Sequence, residues 1–137
     1  MKHVSTMICL TLLCSLPGCI VSTNDASLAS ASNSAGSLTI DWTINRSTDP
    51  NQCNQSVVSD FDIIVTTPSG ATVDEVMQRC VDGVMTMALS PGAYAGNAVL
   101  LDAAGNERTT WLSIDPFTIL SDSDLMISVD FPANSFQ

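Results

Sequence analysis

The sequence predicts an all-β domain, seven short strands arranged as a two-sheet sandwich. Three observations carry this. Apolar and polar residues alternate with period two through most of residues 37–137. Turn signals interrupt that alternation at short, regular intervals. No stretch combines a helical period with helix caps.

In Ser37–Asn45, Leu38, Ile40, Trp42 and Ile44 share one face, and Thr39, Asp41, Thr43 and Asn45 share the other. Phe61, Ile63 and Val65 line one face of a second strand. Val73, Val76 and Met77 form a rougher segment ending at Cys80. Met85, Met87 and Leu89 alternate with Val84, Thr86 and Ala88. Tyr94, Gly96, Ala98 and Leu100 form a further set, followed by Leu112 and Ile114. Leu125, Ile127, Val129 and Phe131 make the last strand. Between these runs lie Asp49-Pro50-Asn51, Pro68-Ser69-Gly70, Asp82-Gly83, Ser90-Pro91-Gly92, Ala104-Gly105-Asn106 and Asp115-Pro116, each read as a turn. Met77, Met85 and Met87 read as core filler rather than as metal or cofactor ligands.

Ahead of this domain, residues 1–18 have the three parts of an export signal. Lys2 and His3 open it, and Val4–Leu16 is mostly apolar but shorter than the ~20 residues that span a membrane. Leu16-Pro17-Gly18-Cys19 ends it and resembles the lipobox of bacterial lipoproteins. That resemblance implies cleavage before Cys19 and a lipid on its sulfur, with Pro17 departing from the small residue usual there. Ile20 follows the cysteine, and in that family the absence of Asp at this place implies the outer membrane. Residues 19–36 then read as a lipidated cysteine and a Ser/Ala-rich flexible tether.

The cysteine count agrees with this address. Of five cysteines, Cys9 and Cys14 leave with the signal. With Cys19 lipidated, Cys53 and Cys80 remain, and an even pair suits a disulfide in an oxidising compartment. Zinc competes poorly for them, because there is no CxxC spacing and no histidine to complete a tetrahedron.

Ser90-Pro91-Gly92-Ala93-Tyr94 resembles the Pro-Gly-x-Tyr corner of prealbumin-like and carboxypeptidase-regulatory-like sandwiches, where the turn leads into a strand whose Tyr packs inward. The layout of Leu38-Thr39-Ile40-Asp41-Trp42, the Asp49–Cys53 loop and Val129-Asp130-Phe131-Pro132 is similar to small lipoproteins of predatory and soil-dwelling delta-type proteobacteria. The resemblance implies a prealbumin-like or immunoglobulin-like sandwich on a lipid anchor. It brings no activity with it.

Charge and residue types exclude much chemistry. After residue 18 there are 14 acidic residues against three basic ones, Arg46, Arg79 and Arg108, a net charge of −11. Such a field repels phosphate backbones and anionic headgroups, so nucleic acid is not an expected partner. The only histidine, His3, and the only lysine, Lys2, lie in the signal. That removes Ser-His-Asp and Cys-His catalysis and Schiff-base chemistry from the domain. Carboxylates alone remain for acid–base work, as in a glycosidase, and solvated turn residues are their simpler reading.

Asp49, Asn51 and Asn54 cluster in one loop, Asp102, Asn106 and Glu107 in another, and Asp122 and Asp124 in a third. Calcium takes about six to eight oxygens from such loops, but Asp and Asn are also the usual turn residues, and the turn reading is preferred. Trp42 falls on the apolar face of its strand. Trp111 is out of phase with Leu112 and Ile114, so it is expected to point away from the core beside Thr109 and Ser113, where a sugar ring or a protein could stack on it.

The sequence therefore predicts a non-catalytic, lipid-anchored envelope lipoprotein without a cofactor or metal site. Its acidic, disulfide-stapled sandwich (residues 37–137) is expected to serve binding or architecture, toward an envelope protein or a glycan. The alternative is a carbohydrate-binding or adhesion module centred on Trp111 and assisted by calcium. A carboxylate hydrolase is the third reading.

Overall fold

A computed structural model describes residues 34–137 of the chain. The expected signal, Cys19 and the tether through residue 33 lie outside the described residues.

The period-two pattern is strictest in β1 (Gly36–Ile44), where buried and half-buried residues alternate along the whole strand. It is followed by a short helix α1 (Asn51–Gln55), β2 (Asp60–Thr66), β3 (Thr72–Arg79), β4 (Val84–Leu89), β5 (Gly92–Leu101), β6 (Leu112–Ile119) and β7 (Asp124–Phe131). Two sheets result, as the alternation predicts. One has the order β4-β1-β7 and the other β3-β2-β5-β6. β1 runs antiparallel to β4 and parallel to β7. Every pairing in the larger sheet is antiparallel.

The apolar faces meet in one core. Leu38, Ile40, Phe61, Ile63, Val65, Leu100 and Phe131 are completely buried there. Trp42 of β1 stacks flat on Phe61 of β2, ring centroids 4.2 Å apart, and Phe131 of β7 meets the same Phe61 edge-on. The Trp42 indole N–H donates to the Cys80 carbonyl at 2.9 Å, so the ring keeps its one polar group satisfied inside the core. Cys53, on α1, is bonded to Cys80, which opens a 3-10 turn (Cys80–Asp82), with Cα atoms 5.9 Å apart. That lies within the ~7 Å reach of a disulfide, as the cysteine arithmetic predicts. Tyr94 packs inward, as the Pro-Gly-x-Tyr corner implies, and its hydroxyl donates back to the Ser90 carbonyl at 2.7 Å.

The structure departs from the sequence reading in several places. Gly36, read as the end of the tether, belongs to β1. A Cβ there would collide with the Leu120 carbonyl oxygen and come within 2.6 Å of Ile119 Cγ2, so its lack of a side chain serves close packing rather than flexibility. Met85 and Met87 are core residues, but Met77 is 57% exposed and Val73 is exposed beside it. Met77 pairs with Asp62 and Val76 with Ile63, so Val73 and Met77 lie on the outer face of β3 and Val76 alone of the three turns to the core. Asp49-Pro50-Asn51, read as a turn, leads into α1, whose single turn buries only Cys53 and has no amphipathic period to announce it. Asp115-Pro116 is not a turn but the middle of β6. The ladder with β5 slips there, with Gly96 opposite Ile114 but Tyr94 opposite Phe117. β6 thus carries one extra residue, a bulge that accommodates a proline on an edge strand.

Candidate functional site

Three strands against four leaves one side of the sandwich open. Among the described residues, β7 has a neighbour only in β1, and β6 only in β5. Between these two free edges lies a groove of about 550 Å³. Leu112, Ile114 and Phe117 of β6 and Leu125, Ile127 and Val129 of β7 supply its apolar lining, with Asp115 and Asp130 at its margin. Ile114 and Val129 are buried, and the other four apolar residues are half-buried against the core. The inward face of each strand therefore continues past the point where the opposite sheet covers it.

The two edges differ. β6 carries Asp115, Pro116 and the bulge, devices that stop an edge from pairing. β7 has none along Leu125-Met126-Ile127-Ser128-Val129, a stretch with neither charge nor proline. Its acidic residues stand at its ends. Asp124 accepts a hydrogen bond from the Ser37 hydroxyl, and Asp130 accepts from the Thr43 hydroxyl at 2.8 Å and the Arg46 backbone N–H at 2.7 Å. Both carboxylates are thereby held in place on the outward face of β7.

Trp111 stands just before β6 and is 39% exposed, as expected of a residue outside the core. Its indole N–H donates to Glu107 Oε1 at 2.8 Å. Thr109 does not share that exposed face. It is fully buried, and its hydroxyl accepts the Leu100 backbone N–H at 3.1 Å. The period-two reading fails there because β6 begins only at Leu112. Residues 107 and 109 instead make isolated bridges to Leu101 and Phe136. Trp111 is not part of the groove lining, so the residue singled out from the sequence and the groove between β6 and β7 are separate.

The Asp/Asn loops are built as turns. Asp49 Oδ1 accepts the backbone and side-chain N–H groups of Asn51, both at 2.9 Å. Asp102 Oδ1 accepts the backbone N–H groups of Ala104 and Asn106, at 2.8 and 2.9 Å. The Asn106 side-chain amide and then its backbone N–H hold the Asp102 carboxyl below its ordinary pKa of 3.8. Ser34 donates to Asp122 at 2.6 Å. Among the described residues, no three His, Cys, Asp or Glu side chains form a group that could hold a metal ion.

One carboxylate stands apart. Asp62, on the outer face of β2, is 6% exposed, and its Oδ1 has no hydrogen-bond partner. Burial, reinforced by the Glu75 carboxylate on β3, raises its pKa above 3.8 against the opposing pull of the Ile63 backbone. The folded domain thus holds this proton more tightly than the unfolded chain does. The cost of the charged form is absent well below pH 3.8, grows as the pH climbs through the raised value, and is complete at neutral pH. Asp62→Asn should accordingly stabilise the domain by about 1 kcal/mol at neutral pH and lose that advantage in acid. Thermal melts of both proteins at pH 7 and pH 3 check this, and an equal gain at both would refute it.

No family model matches the chain, and no curated protein matches it either.

Proposed function

We propose that this chain is a lipid-anchored envelope lipoprotein whose sandwich works by binding a partner rather than by catalysis. The groove between β6 and β7 carries the reading. It is an apolar concavity of about 550 Å³, lined by half-buried side chains with a few carboxylates at its margin, the composition of a recognition surface. The residue inventory supports a non-catalytic role. The domain has no histidine or lysine, its two thiols are joined to each other, and the loop carboxylates of Asp49 and Asp102 hold turns. The net charge of −11 after residue 18 argues against a nucleic-acid partner. For the anchor, the support is the Leu16-Pro17-Gly18-Cys19 motif and the pairing of the other two cysteines left after export.

Two measurements test the proposal. Mass spectrometry of mature protein should find a chain that begins at a diacylglyceryl Cys19, and an unmodified Cys19 thiol would sink the anchor. A pull-down from envelope extracts should retain partners on the wild-type domain and lose them on Ile127→Arg, which places a charge in the groove. The same partners on both proteins would remove the groove from the function.

A further inference from the structure

Resting on that reading, we infer that the groove takes an extended, basic β-strand from another protein, added along the free edge of β7. The edge defines the geometry. Among the described residues nothing pairs with the row of backbone N–H and C=O groups on this side of β7, and Leu125, Ile127 and Val129 line the floor beside it. A strand laid along β7 satisfies the backbone groups, and every second side chain of that strand drops into the groove. An acyl chain would fill the volume but leave the backbone groups unpaired in an apolar setting, which is costly. β6 does not compete for the strand, because Asp115, Pro116 and the bulge blunt it.

Charge selects the occupant. On the outward face Asp124 and Asp130 stand at the two ends of the open stretch, fixed by Ser37, Thr43 and the Arg46 backbone. A strand with alternating apolar residues and a Lys or Arg near each end places each cation across from a carboxylate. A second copy of the chain fits badly. Antiparallel pairing of β7 with itself about Ile127 sets Asp124 opposite Asp130 at both ends, and each copy carries the same acidic field. The occupant is therefore a cationic segment of a different protein.

The probe is the palindromic peptide Lys-Val-Thr-Val-Thr-Val-Lys, which offers the same side chains whether it adds parallel or antiparallel. Titrated into the domain and followed by backbone amide NMR, it should shift Leu125–Val129 and leave the amides of β3 in place. Binding should weaken about fivefold or more between low and high salt. It should also weaken about tenfold when the central Val and the Thr after it are both replaced by Pro, which removes a backbone donor toward β7 in either strand direction. The Glu-ended peptide should not bind. The double variant Asp124→Asn, Asp130→Asn should lose the salt dependence, and the Glu-ended control keeps the test decisive if that variant folds poorly. Equal binding of the Pro or Glu peptides, or shifts elsewhere, would overturn the inference. So would a β7-mediated dimer of the free domain in sedimentation. A domain that ignores the peptide yet loses its envelope partners on Ile127→Arg would overturn the basic strand alone and leave the binding role standing.

Discussion

Trp42→Ala should destabilise the domain by about 3–5 kcal/mol, a loss comparable with the whole stability of many small domains. The indole fills the space over Phe61, so its removal opens a cavity where the two sheets meet. It also takes from the buried Cys80 carbonyl the closer of its two donors, leaving the Gly83 backbone N–H at 3.2 Å. Phe61 then loses its flat neighbour and keeps only the edge contact with Phe131. Denaturant unfolding followed by circular dichroism measures the effect. A loss under ~1 kcal/mol would mean the core collapses around the gap and the stack contributes little.

Breaking the Cys53–Cys80 bond should cost about 3–4 kcal/mol, the chain-entropy value for a crosslink of this span. The two residues are 27 apart, and the bond closes a segment that includes β2 and β3. α1 has a single turn and no side-chain cap, so the bond supplies much of what holds it against the 3-10 turn. The unfolding midpoints of oxidised protein and of Cys53→Ser, Cys80→Ser protein should differ accordingly. Two titratable thiols in the non-reduced protein would show that the bond does not form. Because Cys80 also accepts the Trp42 N–H, the losses from Trp42→Ala and from the broken bond should not add.

What could be read from the sequence follows from which positions face one way. β1, β4 and β7 alternate cleanly because one face of each is in the core and the other in water, and period two reports that arrangement directly. The end of β5 defeats the same reasoning. Val99 and Leu101 are buried as well as Ala98 and Leu100, so the strand has no wet face there to mark its phase. β3 fails in the opposite sense, since Val73 and Met77 are apolar residues on its outer face, where the alternation calls for polar ones. The groove was hidden for a further reason. Asp115-Pro116 resembles a turn, and only the apolar alternation on both sides of it, Leu112 and Ile114 before and Phe117 and Ile119 after, betrays a single bulged edge strand. That alternation was the available signal. The openness of β7 has no local signature, because it depends on how many strands the other sheet contains.

The place of Gly36 has a mechanical consequence. Any pull reaching the domain through the chain that precedes it enters β1, the central strand of its sheet, at a point wedged against Leu120 and Ser123. β1 is in register with β7 from Ser37 to Ile44 and with β4 along most of its length. A tug along β1 therefore loads both ladders in shear, and many hydrogen bonds must yield together rather than peel one at a time. A domain pulled at this point resists being drawn apart. A strand lying along the far edge of β7 would share that load across the same sheet.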